Sequence, residues 1–100
     1  MVTVGLLIRV EAKPDKVTEV EAMLKSAVAH VRKEDRAVVW FALRLGPTSF
    51  AIFDAFPNDA GRQAHLEANA ETLRAAAPQL FAGSPSIEHI DVVAAMLPGQ

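Results

Sequence analysis

The chain has 100 residues, with ten basic side chains against twelve acidic for a formal charge of −2, and neither cysteine nor tyrosine. No basic cluster could track a phosphate backbone, so nucleic acid is not an expected partner, and disulfides, thiolate nucleophiles, zinc–thiolate or Fe–S sites and phenolic acid–base chemistry are all unavailable. No apolar run approaches the ~18 residues of a membrane span, and no secretion signal opens the chain, so we expect one cytoplasmic domain over 1–100 with a loose tail at 97–100.

Residues Val2 to Glu11 alternate, Val4, Leu6, Ile8 and Val10 against Gly5, Leu7 and Arg9, as in a largely buried strand. Pro14 and Asp15 suit the first turn of a helix. Val17, Val20, Leu24, Ala27, Val28 and Val31 then recur at three- and four-residue spacing and lay one apolar stripe to about Lys33. Glu34-Asp35-Arg36 closes that helix. Val38 to Phe56 reads as a hairpin turning at Gly46-Pro47-Thr48-Ser49, built of residues that favour the pleated conformation.

Both faces of this hairpin are apolar. Trp40, Ala42 and Arg44 share one face of the first strand, and Val39, Phe41, Leu43 and Leu45 the other. The second strand divides into Phe50, Ile52, Asp54 and Phe56 against Ala51, Phe53 and Ala55. Each large apolar side chain left in water would forgo about 1.5–3 kcal/mol, so each face needs a cover.

Asn58 or Asp59 can cap a second helix, expected from Asp59 to Ala68 and continuing from Ala70 to Phe81, with its pattern weakening at Pro78. Gly83 to Ser86 is a loop, and Ile87 to Met96 reads as the last strand. The order β-α-β-β-α-β is that of a ferredoxin-like α+β sandwich, an antiparallel four-stranded sheet with both helices on one face. The helices leave the other face bare. A second copy packed sheet to sheet, in a homodimer, is the simplest cover.

Two side chains stand out for chemistry. His65 has Gly61, Arg62, Ala68 and Asn69 three and four residues away, so small neighbours leave room beside an imidazole whose ordinary pKa near 6.5 suits general-base work. Asp54 shares its face with Phe50, Ile52 and Phe56, where a lone charge is disfavoured and a salt bridge to Arg9 or Arg44 would relieve it. Trp40, Phe41, Phe53, Phe56 and Phe81 supply the aromatic surface. His30 reads as a solvated helix residue, and His89 as one that could lie on a dimer face. No His-x-x-x-His or Glu-x-x-His pair places two metal ligands on one helix face, so no metal is expected.

Nearly the whole chain resembles the antibiotic biosynthesis monooxygenase family of dimeric α+β barrel proteins. The likeness rests on VTVGLLIRVEAKPDKVTEVEAML, on WFALRLGPTSFAIFDAF and on FDAFPNDAGRQAHL, where an aromatic, an acid and a second aromatic precede a helix bearing histidine. Here those positions are Phe53, Asp54, Phe56 and His65; the family more often has Glu at the position of Asp54, and Trp or Tyr at that of Phe56. The resemblance implies a homodimeric, cofactor-free oxygenase of phenolic, quinol or anthrone-type aromatics with O₂. It implies His65 and Asp54 as catalytic residues, and Trp40, Phe53, Phe56 and Arg44 around the substrate. A non-catalytic binder of aromatic ligands would use the same pocket.

Overall fold

The computed structural model describes residues 1–34 and 36–99; Asp35, in the expected helix-closing triplet, and Gln100, in the tail, lie outside the described residues. Strands β1 (Val4–Glu11), β2 (Val39–Arg44), β3 (Ser49–Phe56) and β4 (Ser86–Asp91) alternate with helices α1 (Val17–Glu34) and α2 (Asp59–Leu80) in the order β1-α1-β2-β3-α2-β4. The strands form one antiparallel sheet in the spatial order β2-β3-β1-β4. This is the ferredoxin-like α+β arrangement expected from the sequence.

Register determines which side chains meet. Leu6 lies opposite Asp54 in β3 and His89 in β4, and Asp54 lies opposite Trp40 in β2. One transverse row, Trp40, Asp54, Leu6 and His89, therefore shares the face turned toward the helices. In the core on that face Leu6, Ile8, Val10, Phe50, Ile52 and Phe56 meet Val20 and Leu24 of α1 and Leu73 of α2. Gly5 permits the close approach of the two inner strands. A Cβ there would lie 2.5 Å from the backbone oxygen of Asp54, a contact that side-chain adjustment could not relieve.

Three boundaries differ from expectation. Helix α1 starts at Val17 rather than in the turn at Pro14, and Lys16 O accepts the first helical bond, from Val20 N at 3.0 Å. Helix α2 is continuous to Leu80, because Pro78 falls in its last turn, where only one backbone bond is forfeited, and Leu66, Leu73, Ala76, Ala77 and Leu80 keep packing on the core. Asn58 supplies the cap, accepting from Gly61 N at 2.9 Å. Strand β4 stops at Asp91, and the segment beyond it lies beside the outer sheet face, where Val92, Met96 and Leu97 line a cavity with Val39, Phe41, Phe53 and Ala55.

The C-terminal segment covers this outer face only in part. Phe41 is 53% exposed and Leu43 40%, on the side of the sheet away from both helices. Among the described residues no helix is long and apolar enough to cross a membrane.

Candidate functional site

Three elements converge behind the middle of the sheet. Strand β3 brings Asp54, fully buried; α2 brings His65, whose side chain is 5% exposed; and the last residue of α1 brings Glu34, whose side chain is 18% exposed. His65 Nδ1 lies 2.8 Å from Glu34 Oε2 and Nε2 lies 3.0 Å from Asp54 Oδ2. Asn69, one turn further along α2, donates from Nδ2 to Glu34 Oε1 at 3.0 Å and to the His65 carbonyl at 2.8 Å, holding the second carboxylate in place. The ring of Phe56 stands 5.2 Å from the imidazole, centre to centre, tilted by 48°.

The electrostatics follow from this geometry. Burial by itself pushes the His65 pKa down, but the hydrogen bonds and charges of Asp54, and then of Glu34, outweigh it and hold the pKa above its ordinary value. His65 is thus engaged at both ring nitrogens with its charged form favoured, and is not the free neutral imidazole read from its small neighbours. The Asp54–Nε2 contact is close but poorly aligned, and among the described residues neither Asp54 oxygen has a well-directed hydrogen-bond donor. An acceptor so placed is costly to leave unmet. Among the described residues no group of three or more potential ligands is arranged to hold a metal ion.

Asp54, His65, Asn69 and Thr72 line a hollow of about 70 Å³, whose remaining walls are apolar side chains that include Ile8, Leu24, Trp40 and Ile52. Trp40 and Leu24 also line a groove of about 340 Å³ between α1 and β2, with Val28, Leu43, Arg44 and Phe50. Trp40 thus stands between a small inner hollow, with polar groups in its wall, and a larger groove that Glu21, Lys25 and Arg44 also line.

Of the residues singled out from sequence, His65, Asp54, Trp40 and Phe56 come together. Arg44 and Phe53 do not join them. Arg44 sits at the turn end of β2, donating to Gly46 O at 3.2 Å and Pro47 O at 3.0 Å, with its guanidinium 5.2 Å from the Phe50 ring centre, so it reaches the outer groove only. Phe53 lies on the opposite sheet face from Asp54, as strand alternation requires, and lines the cavity against the C-terminal segment. The salt bridge foreseen for Asp54 is also corrected: Arg9 pairs with Glu88 at 3.6 Å and Arg44 with Glu21 at 3.8 Å, while Asp54 meets His65. His30 and His89 are exposed, and His89 shares the helix-side row instead of the outer face.

Glu34 escaped the sequence reading. Its one signal was an acid in the last turn of a helix, where the macrodipole favours bases and disfavours a carboxylate by roughly 0.3–1 kcal/mol. A carboxylate retained there needs a partner, and the partner is His65.

No protein-family model and no curated protein matches the chain. A solved relative does: the NE2512 protein of unknown function from Nitrosomonas europaea, 40% identical, with a TM-score of 0.94 over 100% of this chain and 98% of that one. This chain belongs to the NE2512 family. Two more distant structures carry provisional assignments as antibiotic biosynthesis monooxygenases. The one from Nitrosomonas europaea has 17% identity and a TM-score of 0.78, covering 91% of this chain and 90% of that one. The one from Caulobacter crescentus has 20% identity and a TM-score of 0.76, covering 93% and 92%. The NE2512 family therefore has the antibiotic biosynthesis monooxygenase-like fold that the sequence motifs implied.

A histidine whose pKa is raised on folding contributes stability that is fully present below its unfolded pKa of about 6.5 and is lost as pH rises through the folded value. His65→Gln also strands the buried Asp54 carboxylate, a loss of about 3–5 kcal/mol by analogy with other broken buried pairs. Urea unfolding should show the wild type ahead of His65→Gln by its widest margin near pH 6, narrowing toward pH 9. A margin that widens with pH would refute the assigned protonation state.

Proposed function

We propose that the protein is a monooxygenase that needs no cofactor and acts on phenolic, quinol or anthrone-type aromatics, with Asp54 and His65 as its proton-handling pair. The observation that carries this reading is a buried, under-satisfied carboxylate, braced by an imidazolium, at the inner end of an apolar space walled by Trp40. The fold shared with proteins provisionally assigned as antibiotic biosynthesis monooxygenases supports a monooxygenase reading.

The size of the two spaces suggests how a substrate sits. The inner hollow of about 70 Å³ is too small for a ring system, since a cavity that accepts benzene measures roughly 150 Å³. The ring belongs in the groove of about 340 Å³, against Trp40, Leu24 and Phe50 with Arg44 at its rim, and the hydroxyl or enol reaches past Trp40 toward Asp54. Loss of a proton makes such an arene electron-rich enough to give an electron to O₂. For an anthrone-type ring methylene, one oxygen atom becomes the new carbonyl and the other leaves as water with the two methylene hydrogens, so no external reductant is consumed. The protein's part is orientation, exclusion of water and the proton's destination.

The same reading makes the protein a cytoplasmic homodimer, its exposed Phe41 and Leu43 covered by the sheet of a second copy. A cysteine-free chain fits a reducing compartment.

Oxygen consumption followed with a panel of anthrones and quinols should rise above the spontaneous rate with wild type and fall at least about a hundredfold in Asp54→Asn, the scale of a lost general base. Ligand binding without oxygen uptake would replace the oxygenase with an aromatic-ligand binder. Sedimentation equilibrium should give twice the chain mass for wild type and one chain mass for Phe41→Asp, and a wild-type monomer at micromolar concentration would refute the dimer.

A further inference from the structure

A general base needs an unshared electron pair directed at the proton it removes. His65 offers none, because Nδ1 faces Glu34 at 2.8 Å and Nε2 faces Asp54 at 3.0 Å. The free electron pairs at the hollow belong to Asp54, whose Oδ1 has no donor among the described residues although the side chain is fully buried. We propose that Asp54 Oδ1, and not His65, accepts the proton, that the proton comes from the hydroxyl of a neutral hydroxyarene, and that Glu34 is a positioning residue anchoring His65 from behind.

This inference rests on the aromatic-substrate reading above and names within it the acceptor and the charge state of the ligand. In the step, the arene O–H bond breaks and an H–Oδ1 bond forms. The O–H electron pair stays on the arenolate oxygen, and nothing is oxidised or reduced. The charges of the cluster select the ligand. Two carboxylates against one imidazolium leave an excess negative charge in a poorly solvated space, where charges interact more strongly than in water. An anionic ligand would add to that repulsion. A neutral hydroxyl instead supplies the donor that Asp54 lacks, and the imidazolium then lies near the negative charge that develops on the arene oxygen.

Glu34 takes its role from geometry alone. It touches His65 and Asn69 and does not line the hollow, so it acts through the imidazole by fixing the ring's orientation and its proton count.

The test compares two probes that differ by one methyl group, 2-naphthol and 2-methoxynaphthalene, by fluorescence titration at pH 7. Wild type should bind the naphthol at least about tenfold more tightly, the worth of a hydrogen bond to a charged acceptor. Asp54→Leu should erase that preference and His65→Gln should only weaken it. Glu34→Ala should weaken it and Glu34→Gln restore it, with affinity for the ether unchanged in both Glu34 variants, a pattern that general loss of structure would not give. Equal wild-type affinity for the two probes would overturn the Asp54 assignment while leaving an aromatic site in place. Failure of wild type to bind either would overturn the aromatic reading as well. Retention of the preference in Asp54→Leu with loss in His65→Gln would return the role to histidine. The wild-type comparison decides the matter even if Asp54→Leu does not fold.

Discussion

An imidazole held between two carboxylates is the constraint around which this molecule is arranged. Glu34 ends α1, Asp54 sits mid-strand in β3, and His65 faces inward from α2, so one bridge ties both helices to the sheet. Hydrophobic packing brings these elements together: Leu24, Leu73, Leu6 and Phe56 need no ionic group to meet. Buried ion clusters seldom add net stability, and apolar replacements of similar volume are often neutral or better by roughly 1–4 kcal/mol. A cluster that stability does not demand, next to an apolar hollow, points to chemistry.

The fold supports that cluster through its register. The pairing that sets Trp40, Asp54 and Leu6 in one row puts the aromatic wall beside the acid, and Gly5 allows the inner strands to close on the backbone of Asp54. Arg62 secures the first turn of α2 from the other side. Its guanidinium donates to the carbonyls of Gly5 at 3.3 Å and Ile90 at 3.1 Å and pairs with Asp59 at 2.6 Å, so the helix bearing His65 is fixed against β1 and β4. Catalytic groups held on such regular elements are placed more accurately than groups on loops.

Much of this was legible in the residues. Strand alternation and the helical stripe of α1 gave element order and layer arrangement, because both periods are imposed by burial on one face. The same alternation already set Phe53 and Asp54 on opposite faces; only the family likeness grouped them. Pro78 misled because a proline in the last turn forfeits little. What could not be read was the third partner. Glu34 and His65 are 31 positions apart, and nothing local says that the end of one helix reaches the middle of the next. The charge state of His65 followed from that unseen contact, so an imidazole that looked free was in fact engaged at both nitrogens.

The protonation of one ring therefore decides how this site works. Nitrogen-15 NMR of histidine-labelled protein at pH 7, with the exposed His30 and His89 as internal references, measures it directly. Both ring nitrogens of His65 should carry protons. A His65 with one bare nitrogen would contradict the locked imidazolium and with it the assignment of Asp54 as the proton's destination.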